Sequence, residues 1–425
     1  MEAYFANWKI RAGRYSRKFL QTLNECIGYI FPKSCSAYLT TCASLVQAFR
    51  NKIGANNMKN IINYVMEEDC SFESRKFNAV DSLVLSQLAY LNFDDIVPGL
   101  SDVATPITIK EIAVMENPDR LFHDVRESKS NQQLLFALAN SSRFGNTKLG
   151  FYMNQIDSEA EKQFSAITCL LGDGSAYIAY RGTDSTFVGW KEDFNMAFIS
   201  PVPSQEEGVA YLNAVAEKIP NNLKIGGHSK GGNIAVYSAI YCSQIVQGRI
   251  VQIFSHDGPG FRDEVFHSDG YGIIKDRIYK TLPQSAIIGI LLQYQEKYSV
   301  VKSNHIWFMQ HDPFSWLVYG NDFQYAQSVN RNALYMNGTL TQWMNSYDDQ
   351  KRKLFVNTLF DVIKATNATT VYDLTGDWPQ KAVAVLGAIK GIDAETKAFV
   401  FQTIRALFGL AVKNIREIRR SVTIP

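Results

Sequence analysis

The stretch that decides the fold spans residues 226–233 and consists of Gly226-Gly227-His228-Ser229-Lys230-Gly231-Gly232-Asn233. A short apolar run, Leu223 to Ile225, precedes it, and an apolar segment compatible with a helix, Ile234 to Ile245, follows it. A strand, a sharp Gly-x-Ser-x-Gly turn and then a helix form the context in which this pattern indicates a nucleophile elbow. Glycines two residues before and after the serine suit a strained turn, because a Cβ atom there would collide with the neighbouring strand and helix. The pattern predicts Ser229 as a nucleophile; the alternative is an ordinary glycine-rich turn.

Strand and helix segments alternate around this turn. The expected strands are residues 164–169, 177–180, 223–227, 250–256, 277–282, 298–302 and 306–310. The first two flank Gly172-Asp173-Gly174, which is typical of a β-hairpin, and helices are expected at residues 207–219 and 232–245. Such alternation implies right-handed crossovers and a mostly parallel sheet covered on both faces. We therefore expect an α/β fold of the α/β-hydrolase kind, with helical additions at the N-terminal and C-terminal ends.

The 425 residues suit one large core with additions, and 46% hydrophobic with 20% charged residues is an ordinary globular composition. We expect a basic helical extension at residues 1–56, a hydrolase core at residues 57–321 and a helical region packed on that core at residues 322–425. No run approaches the roughly 18 apolar residues of a spanning helix, and the first residues lack the apolar core of a signal peptide. These patterns predict a cytoplasmic protein.

Charge is distributed unevenly along the chain. Residues 1–60 carry nine Lys and Arg against two Glu, so their net charge is +7, although the whole chain has a net charge of +2. Aromatic and apolar residues recur near helical spacing within residues 1–56, with basic residues between them. One interpretation is peripheral contact with an anionic membrane. The other is a helix packed on the main domain with a solvated basic face.

A serine hydroxyl becomes a good nucleophile when a nearby base, most often imidazole, removes its proton. An α/β-hydrolase places its catalytic residues in the chain order serine, acid, histidine. Of six histidines, His311 fits that order best, because it follows an expected strand and begins the turn His311-Asp312-Pro313. His228, inside the elbow, should point away from the reacting side of Ser229. The alternative for His311 is a structural histidine.

The acid should lie between Ser229 and His311 at the carboxyl end of a strand, where it can orient the imidazole. Asp257 ends the strand that follows the elbow helix and leads into Gly258-Pro259-Gly260. The next strand ends in Leu282-Pro283-Gln284-Ser285, which contains no carboxylate. We therefore choose Asp257. The open alternative is an aspartate that only caps a helix or stabilises a turn.

An oxyanion hole requires two backbone donors. The amide of Lys230, directly after the serine, is one candidate. Arg181-Gly182-Thr183-Asp184 leaves the second hairpin strand, and Gly182 permits close backbone approach, so the amide of Thr183, with or without its hydroxyl, is the other. An ordinary polar turn remains the alternative for this segment.

Other classes of site lack support in the sequence. It contains neither a phosphate-binding G-x-x-x-x-G-K-[ST] nor a dinucleotide-binding G-x-G-x-x-G motif. Metal-ligand spacings such as H-E-x-x-H are also absent, so we expect no cofactor and no metal. Basic ends without a recognisable nucleic-acid-binding fold argue against a nucleic-acid partner.

At this point the motifs resemble known families. Arg181-Gly182-Thr183, followed by Trp190 and Asp193, resembles the corresponding segment of class 3 lipases. Four stretches resemble the Mbeg-like family of bacterial α/β-hydrolases: Phe77-Asn78-Ala79-Val80-Asp81, Gly227-His228-Ser229-Lys230-Gly231-Gly232-Asn233, Asp257-Gly258-Pro259-Gly260-Phe261 and Gln310-His311-Asp312-Pro313-Phe314-Ser315-Trp316. This resemblance implies an α/β-hydrolase fold with Ser229 as nucleophile and His311 as base.

The chain departs from these families in two places. Class 3 lipases place the acid after the later strand, where this chain has Gln284-Ser285, and residues 1–56 lie outside the common part of the Mbeg-like family. Two functions follow from the sequence. The first is a serine hydrolase that cleaves carboxylic esters, with lipid or acyl esters as its substrates. The second is a non-catalytic binding or membrane-associated scaffold on a retained hydrolase fold.

Overall fold

The structure is a computed structural model of the chain. It describes residues 58–115, 118–123, 125–184, 186–196, 199–290, 297–331 and 347–365, with shorter pieces within residues 333–341 and 387–401. Spatial contacts divide the chain into two units, Met1–Lys59 and Asn60–Pro425, and all the elements given below belong to the second. The expected basic extension at residues 1–56 lies outside the described residues.

The strands in the described part of the chain form one large sheet and one short hairpin. They are β1 (Ile107–Thr108), β2 (Lys148–Asp157), β3 (Lys162–Leu170), β4 (Ala176–Tyr180), β5 (Leu223–His228), β6 (Ile250–His256), β7 (Ile278–Pro283), β8 (Ser299–Val301), β9 (Val318–Tyr319), β10 (Asp322–Phe323) and β11 (Tyr325–Ala326). The sheet has the order β1-β2-β3-β4-β5-β6-β7-β8-β11, and β9 pairs with β10. Strands β4 to β8 pair in parallel, whereas the pairs outside this centre are antiparallel. The elbow therefore lies at the carboxyl end of a central parallel strand.

Helices cover both faces of this sheet. They are α1 (Ile61–Glu67), α2 (Ala79–Leu88), α3 (Ile109–Ala113), α4 (Ser128–Asn140), α5 (Phe187–Asn195), α6 (Pro203–Lys218), α7 (Lys230–Tyr241), α8 (Gln244–Arg249), α9 (Asp263–Phe266), α10 (Asp269–Ile274) and α11 (Asp349–Lys364). The 3₁₀ helices are Pro118–Phe122, Lys275–Arg277, Trp307–His311 and Pro313–Ser315.

Strand β4 shows how the two layers of helices are held. Tyr177 and Ala179 belong to the core that contains α1, α2 and α4, whereas Ile178 and Tyr180 belong to the core that contains α6 and α7. Alternate residues of a strand face opposite sides of the sheet, so both faces of β4 are apolar and all of its residues are buried. The fold class is therefore α/β, an α/β-hydrolase-like sheet with a parallel centre flanked by helices, as the sequence predicts.

Most of the predicted strands correspond to observed strands, but the segment that leads into His311 does not. Residues 306–310 were expected to form a strand; instead Ile306 is the N-cap, and residues 307–310 lie within the 3₁₀ helix Trp307–His311. Side chains rather than a neighbouring strand satisfy backbone carbonyls here, because Gln310 Nε2 donates to His305 O (2.9 Å) and Trp316 Nε1 donates to Gln310 O (2.8 Å). The prediction of a strand before His311 was wrong.

Two further differences concern the sheet edges. Strand β2 was not predicted from the sequence. Its pairing with β3 shifts register between Gly150 and Met153, where Phe151 has a φ of 55°, and this irregularity breaks the apolar alternation of the strand. Residues 322–326 were expected to be helical, but they form β10 and β11. Gly320 has a φ of 59° and turns β9 into β10, and β11 then pairs with β8. The sheet thus extends beyond residue 321.

The stretch of residues 77–81 has a structural role. The side chain of Asn78 caps α2 by accepting from the amides of Val80 and Asp81. Asp81 is fully buried and pairs with the fully buried Arg143 at 2.6 Å, and Tyr64 also donates to it. Removing one member of such a buried pair costs roughly 3–5 kcal/mol. This stretch anchors α2 on the sheet.

Candidate active site

Ser229 lies between the last residue of β5 and the first residue of α7, in the strained backbone conformation that a nucleophile elbow requires. Its φ and ψ are 58° and −131°, a region that non-glycine residues rarely occupy. Its amide donates to His256 O at 2.9 Å. A Cβ atom on Gly227 would lie 2.3 Å from the carbonyl carbon of Gly231, and one on Gly231 would lie 2.1 Å from Tyr180 O. Both glycines are therefore required by close backbone approach, as the sequence predicts.

His311 and Asp257 form a hydrogen-bonded chain with Ser229. His311 Nε2 lies 3.0 Å from Ser229 Oγ, and His311 Nδ1 lies 2.6 Å from Asp257 Oδ2. An ionised carboxylate can only accept, so Nδ1 carries the proton and Nε2 is left as the acceptor for the serine hydroxyl. The structure thus brings together the three residues that the sequence suggested for catalysis.

The carboxylate of Asp257 is held in place from several sides. The side chain is 1% exposed, Gly289 N donates to its Oδ1 at 3.0 Å, and its own amide donates to Thr281 O. Nearby on β7, burial lowers the pKa of Lys280 to about 7, and the negative charge of Asp257 opposes this shift. A fixed, buried carboxylate of this kind orients an imidazole and stabilises its cation.

His228, the histidine of the elbow, supports His311 through its backbone. His228 Nε2 lies 2.9 Å from His311 O, and its Nδ1 lies 3.3 Å from the hydroxyl of Tyr90. Burial, reinforced by the neighbouring His311 and His256, holds the pKa of His228 well below its ordinary value. A neutral His228 therefore donates from Nε2 to the backbone of His311 and accepts from Tyr90 at Nδ1.

The loop after β4 lies directly beside the serine. A Cβ atom on Gly182 would lie 3.2 Å from Ser229 Cβ, so the residue before Thr183 packs directly against the serine side chain. The Thr183 hydroxyl donates to Asp193 Oδ2, so its proton is engaged and the amide is the donor that remains for an oxyanion. Neither the Thr183 amide nor the Lys230 amide donates a hydrogen bond within the described part of the chain. The first-turn position of Lys230 leaves its amide outside the helix ladder.

Asp193 lies on α5 beneath this loop. Burial raises its pKa from an ordinary 3.8 to about 6, although the Lys230 charge and the Thr183 hydroxyl act in the opposite direction. Its Oδ1 is buried and has no hydrogen-bond partner among the described residues. Asp193 therefore fixes the rotamer of Thr183 while it retains an unsatisfied acceptor.

A family model described as Mbeg1-like matches residues 138–361, which is more than half of the chain. The chain belongs to the Mbeg1-like family. The matched region contains Ser229, Asp257, His311 and both oxyanion-hole candidates, Thr183 and Lys230.

Two solved lipases are similar to this Mbeg1-like chain. The crystal structure of M37 lipase has 13% identity and a TM-score of 0.33, with 50% of this chain and 70% of that chain covered. A fungal lipase–inhibitor complex, presented as a model for interfacial activation in lipases, has 15% identity and a TM-score of 0.33, with 59% and 86% covered. No curated protein matches the chain. At this level of similarity, neither lipase assigns a role to a residue of the chain.

Sequence reasoning missed residues that contact the candidate site from distant positions in the chain. Tyr90 and Gly289 support His228 and Asp257, and no motif singles them out. The Lys230 side chain lies in a buried network, where Nζ contacts Gln163 and pairs with Glu192 at 3.0 Å. Only the backbone of Lys230 therefore remains for the reaction.

The described residues contain neither a metal-binding cluster nor a membrane-spanning helix. No group of three or more His, Cys, Asp or Glu side chains in that part of the chain could hold a metal ion. Nor do the described residues include a helix with the length and apolar character needed to cross a bilayer.

Proposed function

We propose that this chain is a serine hydrolase that cleaves carboxylic esters, lipid or acyl esters among them, through an acyl-enzyme. The observation that carries the proposal is the hydrogen-bonded chain from Ser229 Oγ to His311 Nε2 (3.0 Å) and from His311 Nδ1 to Asp257 Oδ2 (2.6 Å). Ser229 is half-buried, so part of the residue is open to solvent. This arrangement is suited to nucleophilic acyl transfer.

In the first half-reaction, Ser229 Oγ attacks the ester carbonyl while His311 Nε2 accepts the hydroxyl proton. The carbonyl oxygen becomes an oxyanion, which the amides of Thr183 and Lys230 stabilise, and Asp257 stabilises the imidazolium. The carbon–oxygen bond to the alcohol then breaks, and the alcohol leaves with the proton from His311. The acyl group remains on Ser229.

In the second half-reaction, water takes the place of the alcohol. His311 Nε2 accepts a proton from the water, and the resulting hydroxide attacks the acyl carbon. The tetrahedral intermediate again places its oxyanion at the two amides. The bond from the acyl carbon to Ser229 Oγ breaks, the serine recovers its proton from His311, and a carboxylic acid is released.

The lipid character of the substrate rests on apolar side chains near the oxyanion loop. Trp190 is 39% exposed and Phe194 is 40% exposed, and both lie on α5, the helix that follows the loop. Exposed aromatic side chains of this size, on the helix that follows the oxyanion loop, favour an apolar acyl or alkyl group over a fully polar one.

The experiment that tests this proposal uses the full chain with p-nitrophenyl esters and a fluorophosphonate probe. The wild type should turn over the ester and be labelled at residue 229, whereas Ser229→Ala should lose both. Ser101→Ala, at an exposed position away from the triad, is the matched control and should retain both. Absent turnover in the wild type, or labelling that persists in Ser229→Ala, would refute the hydrolase proposal.

The scaffold alternative from the sequence was motivated by the missing carboxylate after the later strand. The position of Asp257 beside His311 removes that motivation, because a buried carboxylate is available from the end of β6. We therefore propose no second function for the site.

Contact of residues 1–56 with an anionic membrane is a separate proposal, supported only by charge and apolar spacing in the sequence. Flotation on vesicles that contain anionic lipid, with and without residues 1–56, tests it. Equal flotation of the two chains would favour the solvated basic face instead.

A further inference from the structure

A small cavity adjoins the proposed active site on the side of the oxyanion loop. Its volume is about 180 Å³, and its wall includes Tyr90, Asn92, Arg126, Arg181, Asp184 and Thr186. A Cβ atom on Gly182 would lie 2.1 Å from the Tyr90 hydroxyl and 3.2 Å from Ser229 Cβ, so Tyr90 and Ser229 flank the same glycine. Tyr90 therefore belongs to the cavity wall and also contacts the loop that packs against Ser229.

Arg181 lies in this wall, and its guanidinium is incompletely hydrogen-bonded. Its Nη2 donates to Asn154 Oδ1 (3.0 Å) and Asp184 Oδ2 (3.3 Å). Its Nε is buried without a hydrogen-bond partner, and no hydrogen bond of Nη1 is found within the described part of the chain, although Arg181 is only 6% exposed. A guanidinium carries five N–H groups, and leaving them unpaired in a buried position is costly. Nε is enclosed, so Nη1 is the donor that remains for an acceptor bound in the cavity.

The charges in the wall favour an anion as that acceptor. Arg126 is exposed and adds a second guanidinium, and its backbone is fixed because Asn131 Nδ2 donates to its carbonyl at 2.9 Å. The opposing carboxylate, Asp184, is already engaged: its Oδ1 accepts from the amide and the hydroxyl of Thr186. Arginine forks match the geometry of carboxylate and phosphate oxygens.

We propose that this cavity binds an anionic group of the substrate, a carboxylate or a phosphate, while the ester carbonyl lies at Ser229. This inference rests on the proposed hydrolase function and narrows its substrates to esters that carry an oxyacid anion a few bonds from the scissile carbonyl. The cavity is too small for a long acyl chain but accommodates a phosphate or carboxylate group with its first carbons. The acyl chain then lies outside it, towards α5.

The kinetic test compares two matched ester pairs in the full chain. One pair is p-nitrophenyl butyrate and mono-p-nitrophenyl glutarate; the other is dibutyrylglycerol and dibutyryl phosphatidate. In Arg126→Gln, the ratio of kcat/KM for the anionic ester to that for the neutral ester should fall about 10-fold, the effect of losing one charge-assisted hydrogen bond. Lys129→Gln removes the same charge from a nearby exposed residue outside the cavity wall, and its ratio should stay at the wild-type value.

A binding test separates this inference from the hydrolase proposal. Titration calorimetry of glycerophosphate and of inorganic phosphate with Ser229→Ala should show binding that Arg126→Gln weakens about 10-fold in the same background. Tighter binding of glycerophosphate would identify an ester headgroup as the ligand, and equal binding would identify a free phosphate and overturn the substrate assignment. Unchanged ratios in Arg126→Gln, or equal losses in Lys129→Gln, would also overturn it. Binding without any ester turnover would instead refute the hydrolase function alone.

Discussion

The buried pair between Lys230 and Glu192 provides a demanding test of how the elbow is held. Lys230 is the residue after the nucleophile, and its side chain is 1% exposed, whereas that of Glu192 on α5 is fully buried. Lys230 Nζ donates to Glu192 Oε2 (3.0 Å), Gln163 O (2.8 Å) and Gln163 Oε1 (2.7 Å), so all three of its protons have acceptors. The pair ties the first turn of α7 to the helix beneath the oxyanion loop.

Lys230→Met should leave Glu192 as a buried charge without its cation. Removal of one partner from a buried pair costs roughly 3–5 kcal/mol. Two backbone amides, those of Gln163 and Ser204, still donate to this carboxylate, so we expect the lower end of that range, about 3 kcal/mol. Adding Glu192→Gln should recover at least about 1 kcal/mol of this loss, because the uncompensated charge disappears.

The assay is urea unfolding of the full chain, followed by circular dichroism and tryptophan fluorescence, with coincident transitions as the check on two-state behaviour. Lys162→Met is the matched control, because Lys162 pairs with Glu207 at 2.8 Å while both side chains remain partly exposed. That substitution should cost no more than about 1 kcal/mol. Equal destabilisation by the two Lys→Met substitutions, or strictly additive effects in the double variant, would refute the reasoning.

Three further predictions concern the glycine turn, the proposed catalytic acid Asp257 and the buried Asp193. Gly231→Ala should destabilise the fold by about 3 kcal/mol because its Cβ meets backbone atoms, whereas Gly272→Ala, with open space around it, should be neutral or stabilising. The midpoints of urea unfolding of the two variants test this, and similar shifts in the two would contradict the close approach at Gly231. Asp257→Asn should lower kcat for p-nitrophenyl esters about a thousandfold, because an amide favours the wrong tautomer of His311; a loss below about tenfold would remove Asp257 from the triad. Burial raises the pKa of Asp193 from 3.8 to about 6, so the folded state binds a proton that the unfolded state releases. The contribution of Asp193 to stability is therefore present below about pH 4 and is lost as the pH rises through about 6. Asp193→Asn should flatten this part of the pH profile of the urea midpoint. Parallel profiles for the wild type and the variant would contradict this role of Asp193.

The elbow was predictable because its glycines occur at a fixed spacing around the serine. Gly227 is required by its approach to Gly231 within the turn, and Gly231 by its approach to Tyr180 on the neighbouring strand. His311 could be chosen because chain order limits the candidates. Asp257 was harder, since a carboxylate at a strand end serves turns as well as catalysis; its φ of 50° and its contact with Gly289 are properties of the folded chain.

The parts that were missed depend on tertiary contacts. Tyr90 approaches His228 across 138 residues, and nothing in its own neighbourhood distinguishes it from a core tyrosine. Strand β2 escaped prediction because its bulge at Phe151 interrupts the alternation on which strand prediction relies. The apolar composition of the residues before His311 suggested a strand. The segment forms a 3₁₀ helix instead, because the side chains of Gln310 and Trp316 donate hydrogen bonds to its backbone and to the residues just before it.

The most direct test of the proposed chemistry is fluorophosphonate labelling of the intact chain, with the modified residue located by mass spectrometry of its peptides. We predict a single adduct on Ser229, abolished by Ser229→Ala and slowed strongly by His311→Asn, because the base within 3.0 Å of the hydroxyl is then lost. Failure of the wild type to react, or an adduct on a different residue, would contradict the assignment of Ser229, His311 and Asp257 as a hydrolytic triad.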